Sequence, residues 1–290
     1  MHPAPSVIVF TVLSGIGFGF LAFVAAGLLP VSGWGAFFVW GLGYGLAVVG
    51  LGASTFHLGN PQRALLAFTQ WRSSWLSREA WASVVTLLVL APMALSDWLG
   101  LGLPRGIGWL GAGLCLLTVA ATSMIYAQIR AVPRWNLWTT PLLFLAFALT
   151  GGALLAGREV LAPLLCLGLA AALITTFLLG DQQFVRRGAN LGTATGLDRI
   201  GAASVFELPH TGGNYLMHEM IHVVGRKHAM KLRVIAVICG AVLPAALVLL
   251  PGHLGIAFAV LVHLAGAFAA RWLFFAEAEH VVGLYYGARG

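Results

Sequence analysis

Polar residues interrupt this chain so rarely that its punctuation, more than any amphipathic stripe, divides it into elements. Runs of about eighteen or more apolar residues recur from one end to the other, each long enough to cross a hydrocarbon core of roughly 30 Å as a helix. The pattern predicts spans at about 6–29, 35–56, 80–99, 108–129, 137–156, 160–180, 232–250 and 254–275. The separators are Pro30-Val31-Ser32-Gly33, a polar-aromatic loop at 57–79, Pro104-Arg105-Gly106, the stretch Arg130 to Asn136, Gly157-Arg158-Glu159, the segment 181–231 and Pro251-Gly252-His253. The first run follows Met1-His2-Pro3 without any Lys or Arg and is too long for a signal-peptide core, so it is read as a retained span. The expected fold is all-α: an integral membrane protein of about eight transmembrane helices, packed as helical bundles in a single polytopic domain over residues 1–290.

Composition sharpens this reading. Of the 290 residues 60% are hydrophobic and only 9% charged, against roughly half and about a quarter in a soluble domain. So few charges build no soluble surface. The net charge of +7 resides in the loops between spans, which favours lipid headgroups or an acidic protein partner and points to no nucleic acid. Fourteen of the 16 Lys and Arg residues fall on the side of the N-terminus, the other two being Arg105 and Arg158. Basic loops stay in the cytoplasm, so both termini are expected on the cytoplasmic face of the inner membrane, where a docking face for an acidic partner would also collect positive charge. Cys115, Cys166 and Cys239 each stand alone in an apolar run, a spacing that makes neither a C-x-x-C cluster site nor a disulfide framework.

Local signals add smaller expectations. Gly15 and Gly19, like Gly41 and Gly45, are spaced for close helix approach in lipid. Asp97 and Asp181 read as solvated caps at span ends, and Arg271 as a side chain that snorkels to the cytoplasmic headgroups. The segment 181–231 is too long for a plain connector and reads as a cytoplasmic docking loop, with an amphipathic surface stretch at 214–228. No internal repeat is evident.

The densest polar chemistry lies at 57–79, HLGNPQRALLAFTQWRSSWLSRE. Its bland reading is an interfacial belt of tryptophans and phosphate-binding arginines. Its functional reading is a quinone site, because a quinone headgroup requires donors for its carbonyl oxygens, a proton path and flat apolar walls. His57 can donate to a quinone oxygen or accept a quinol proton. Gly59-Asn60-Pro61 turns the chain and permits close approach, Arg63 supplies a permanent positive charge for an anionic reduced ring, and Glu79, at the start of the third span, can relay protons.

HLGNPQRALLAF followed by WRSSWLSRE resembles the dimethyl sulfoxide reductase membrane-anchor (DmsC-type) family of complex iron–sulfur molybdoenzymes. The likeness extends more weakly along the chain, through the span count and NYLMHEMIHVVGRKHAMKLR at 214–233. It implies an anchor that binds ubiquinone or menaquinone, carries no prosthetic redox centre of its own, and holds an iron–sulfur subunit and a molybdopterin catalytic subunit at the membrane. It assigns quinone contact to His57, Gly59, Arg63 and Glu79, with Arg72 and Trp75 nearby. Some members reduce sulfoxides with quinol and others oxidise sulfite in the cytoplasm and reduce quinone, and cytoplasmic docking fits the latter.

Three competing readings carry less. His218-Glu219-Met220-Ile221-His222 matches the H-E-x-x-H zinc protease pattern, which needs a third ligand and an open coordination position. Haem b would require two histidines at matching depth, whereas His57, His253 and His263 lie at different depths, and His263 is expected to make an internal hydrogen bond. A transporter would place a carboxylate in mid-span, and no span centre holds one.

Overall fold

The computed structural model describes residues 2–57, 60–207, 212 and 228–286, with the backbone alone at His57 and Pro61. Eight long helices follow the punctuation: α1 (Pro5–Ala25), α2 (Gly33–Ala53), α3 (Trp75–Leu99), α4 (Arg105–Ala127), α5 (Thr139–Leu155), α6 (Leu161–Arg186), α7 (Ala229–Leu247) and α8 (His253–Ala276). No strand occurs among the described residues. Seven of these helices have the length and hydropathy to cross a membrane, and α5 is a shorter apolar helix of 17 residues, about 26 Å at 1.5 Å per residue.

Two ends differ from the expected boundaries. Helix α3 begins at Trp75 and not near 80, and α6 continues to Arg186 instead of stopping near 180. Neither Trp75–Glu79 nor Asp181–Arg186 contains a helix breaker, and a charged residue does not end a helix whose backbone hydrogen bonds are made internally. Glu79 and Asp181 are thereby carried into helices.

Helix α1 is the axis of the assembly and packs against α2, α4, α5 and α8. Helices α3 and α4 pair beside it, α5 with α6, and α7 with α8, so two four-helix groups meet along α1, α4 and α5. Glycine makes the approach possible, but at a register shifted from the expected one. A Cβ on Gly19 would lie 1.9 Å from the Ala148 carbonyl oxygen, one on Gly17 would lie 2.5 Å from the Ala47 nitrogen, and one on Gly50 would lie 2.3 Å from the Ser14 nitrogen. Gly15, Gly41 and Gly45 have nothing within 4 Å. Of the two expected glycine pairs only Gly19 packs backbone to backbone, because the contact register is set by which face α1 turns to each neighbour.

Ionic ties hold the helix ends. On one face Trp40 donates to Asp97 across 3.1 Å and Arg105 pairs with the same carboxylate at 3.2 Å. On the opposite face Arg134 and Arg233 each bridge Asp181 and Glu277, joining the α4–α5 loop to α6, α7 and the end of α8. The two aspartates are therefore not free solvated caps; the Asp97 side chain is only 8% exposed. Arg271 departs from expectation too. Its residue is 3% exposed and its guanidinium lies 3.4 Å from the Phe144 ring centroid, inside the bundle and not at the headgroups, because α8 turns this position toward α5.

Candidate functional site

At the helix ends shared with the N-terminus, the chain leaves α2 through a 3-10 turn at Ser54–His57 and runs through a second at Pro61–Phe68 before entering α3. Pro61 opens the second turn, where its missing N–H costs nothing. The first two turns of α3 then bind the loop back on itself. Ser77 Oγ donates to the Ala67 carbonyl, Trp81 Nε1 donates to the Phe68 carbonyl at 3.0 Å, and the Phe68 and Trp81 rings meet edge to face at 5.4 Å. Arg78 donates to the carbonyls of Trp71 and Arg72 at 3.0 and 2.7 Å while its guanidinium covers the Trp75 ring at 4.5 Å.

Pinned in this way, the segment Ala64–Phe68 roofs a cavity of about 570 Å³, within the roughly 300–1,000 Å³ usual for small-molecule sites. Its other walls come from six parts of the chain: the N-terminal segment and α1, the end of α2 with the turn after it, the start of α3, Ile125 and Tyr126 at the end of α4, Trp135 in the α4–α5 loop and Phe275 in α8. They are overwhelmingly apolar and aromatic. Glu79 lines this space although it is only 4% exposed. The Thr122 hydroxyl interacts with its carboxyl, yet Oε1 is buried with no hydrogen-bond partner. An unsatisfied buried polar atom costs about 1–3 kcal/mol, more if charged, so the carboxyl is held here at a cost, with Oε1 itself beneath the chamber's lining. Flat apolar walls with one acidic residue among them are the lining that a planar, weakly polar small molecule requires. Outside Phe68 an open groove of about 450 Å³, lined by Trp71, Arg78 and Trp81, abuts the same ring.

The residues singled out from the sequence are distributed unevenly around this cavity. Glu79 reaches it. Arg63 is exposed on the Pro61–Phe68 turn and is not among the lining residues. Arg72 is exposed with its guanidinium 5.4 Å from the Trp71 ring, and Trp75 underlies Arg78. The His57 backbone closes the first 3-10 turn, its side chain lies outside the described residues, and so does Gly59. Tyr126, Trp135, Phe275 and His2 also line the cavity and were not legible as site residues, since each is brought in from a distant stretch. Their one sequence signal is depth: Tyr126 and Phe275 end spans on the face to which 57–79 belongs.

The other candidate chemistry is placed as follows. The H-E-x-x-H histidines and residues 214–227 of the amphipathic stretch lie outside the described residues. Among the described residues no three His, Cys, Asp or Glu side chains are grouped to hold a metal. His263 makes the expected internal hydrogen bond, its Nδ1 lying 2.6 Å from the Gly240 carbonyl oxygen in the π-helical turn Ile238–Val242 of α7. Its Nε2 edge faces Gly151 so closely that a Cβ there would lie 3.2 Å away.

Comparison with known proteins places these features in context. Residues 1–182 match the family model described as DMSO reductase anchor subunit (DmsC). Over 99% of both chains the sequence is 32% identical to a subunit of the sulfite dehydrogenase of Allochromatium vinosum. No solved structure matches.

Proposed function

We propose, because this chain belongs to the DMSO reductase anchor subunit (DmsC) family and is thus a membrane anchor subunit of an oxidoreductase complex, that the cavity beside Glu79 is its quinone site. The observation that carries the reading is a buried acidic residue, Glu79, in the wall of a largely apolar and aromatic chamber. A bound quinone supplies two-electron, two-proton redox chemistry. The rest is done by this chain. Glu79 holds or releases a proton at its carboxyl beside the headgroup position, the aromatic walls keep water away from the ring, and His2, Ser54 and Thr55 add polar groups to the lining that can pass protons. His57, from the adjoining turn, is the proton donor or acceptor of the headgroup, and Arg63, exposed on the Pro61–Phe68 turn, supplies positive charge. The Phe68 ring, with Trp81 against it, lines both the outer groove and the chamber and serves as the door for a lipid-soluble carrier.

Electrons pass between this site and an iron–sulfur subunit, which with a molybdopterin catalytic subunit docks on the face carrying both termini and most of the basic residues. That face is cytoplasmic. The relative's name, that of a sulfite dehydrogenase, favours sulfite oxidation with quinone as acceptor. The test is made on the assembled complex. Replacing Glu79 by Gln, or His57 by Ala, lowers quinone-linked turnover by roughly 10²- to 10⁴-fold, the usual worth of a positioned acid or base, and leaves activity with an artificial dye acceptor unchanged. Equal loss of both activities would assign these residues to assembly and end the proposal.

A further inference from the structure

Arg271 is a cation buried inside the helix bundle, 3% exposed. Arg134 and Arg233, which lie near the end of α8, each hold two carboxylates. Arg271 differs: among the described residues no carboxylate is within ion-pair distance of it, and its guanidinium is lodged among the rings of Phe144, Phe147 and Phe274 at 3.4, 5.5 and 5.8 Å. Aromatic faces offset part of the desolvation of a cation, and a charge kept at such cost within a membrane marks a functional position. Two of those rings lead to the cavity. Tyr126 packs against Phe144 at 5.8 Å and Phe274 at 5.4 Å, and its own surface lines the chamber beside Glu79. The Phe144 and Phe274 rings that flank the Arg271 guanidinium are thus the rings on which Tyr126 packs. Glu79 and Tyr126 line the chamber, and Arg271 lies beyond the rings that back Tyr126.

A quinone has two carbonyl oxygens, and Glu79 serves one. Resting on the quinone reading above, we infer that Tyr126 is the second contact residue of the headgroup, its phenol O–H donating to the other carbonyl oxygen from α4, and that Arg271 is a positioning residue whose charge orients and strengthens that donor from behind. A cation next to a phenol draws electron density from the oxygen and makes the O–H a better donor, and the low dielectric of the bundle enlarges the effect. No proton needs to reach Arg271 for this.

The test uses the assembled complex in membranes with decyl-ubiquinone and a short-chain menaquinone analogue, next to dye-linked activity. Tyr126→Phe removes one oxygen and keeps the ring stack. It is expected to lower kcat/KM for quinone by roughly ten- to a hundredfold, the worth of a charge-assisted hydrogen bond, with dye-linked activity unchanged. Arg271→Gln lowers it as far, Arg271→Lys recovers most of the loss because the charge remains, and Arg271→Gln adds little in the Tyr126→Phe background, since the two act through one contact. Full quinone activity in Tyr126→Phe, or equal impairment by Lys and Gln at 271, overturns the inference. Should the Arg271 variants fail to assemble, Tyr126→Phe alone decides. Failure of the two readings is distinguishable: a wild-type complex that neither binds nor turns over either quinone sinks both, whereas a silent Tyr126→Phe beside a strongly impaired Glu79→Gln sinks this one only.

Discussion

Removing one carboxylate from the four-membered ion network should loosen the wall of the cavity before it unfolds the protein. Glu277 follows directly after α8. Its side chain is 6% exposed and accepts from Arg134 Nη2 at 2.5 Å and from Arg233 Nε at 2.7 Å. Asp181 completes the square, 45% exposed, with contacts of 2.6 to 2.7 Å from the same two arginines. Two cations face two anions, so the set is neutral. Glu277→Gln leaves two guanidinium groups sharing one carboxylate, an excess positive charge whose side chains are only 14% and 16% exposed. Breaking a fully buried pair costs about 3–5 kcal/mol. The open side at Asp181 lets water and headgroups screen part of that, so about 2–3 kcal/mol is expected, against about 1 kcal/mol or less for Asp181→Asn at the wetter corner. Near the melting temperature this corresponds to a fall of roughly 3–5 °C for a chain of this size. Because Phe275 and Trp135, which line the cavity, adjoin Glu277 and Arg134, quinone-linked turnover should fall with it while dye-linked activity survives below the transition. Melting of the purified complex in nanodiscs, followed by intrinsic fluorescence, measures the shift. A Glu277→Gln complex melting within about 1 °C of wild type, or Asp181→Asn proving the more damaging, would refute the argument that burial sets the worth of each corner.

Two further outcomes follow from the packing and the charge distribution. Gly19→Ala drives a Cβ to 1.9 Å from a backbone oxygen of α5 and should abolish accumulation of the folded complex, while Gly41→Ala and Gly45→Ala, with open space around them, should leave yield and melting unchanged; equal behaviour of the three would mean the helices pack at another register. Ile200 is 86% exposed in the segment after α6, so an Ile200→Cys variant should react with a membrane-impermeant maleimide in inside-out vesicles only, and labelling from outside intact spheroplasts would reverse the proposed topology.

Much of this protein was legible before any coordinates. Crossing a bilayer requires long apolar helices with every backbone group satisfied within the segment, and that demand is written locally, in run length and punctuation; the eight elements and the polarity of the loops followed from it. Glu79 was legible as a candidate too, as a carboxylate bordering a span in a chain with only nine Asp and Glu residues, and its place in the cavity wall is what the fold added. What lay beyond local reading was everything that depends on which face of one helix meets another. A uniformly apolar helix has no stripe to announce its buried side, so Gly17 and Gly50 were no more conspicuous than Gly41, and Arg271 read as a headgroup ligand when α8 in fact turns it toward Phe144. The cavity itself belongs to the same class of fact. Residues 2, 79, 126, 135 and 275 share no motif, and only tertiary packing, which puts one end of α1, α3, α4 and α8 around a common space, makes them the walls of one cavity.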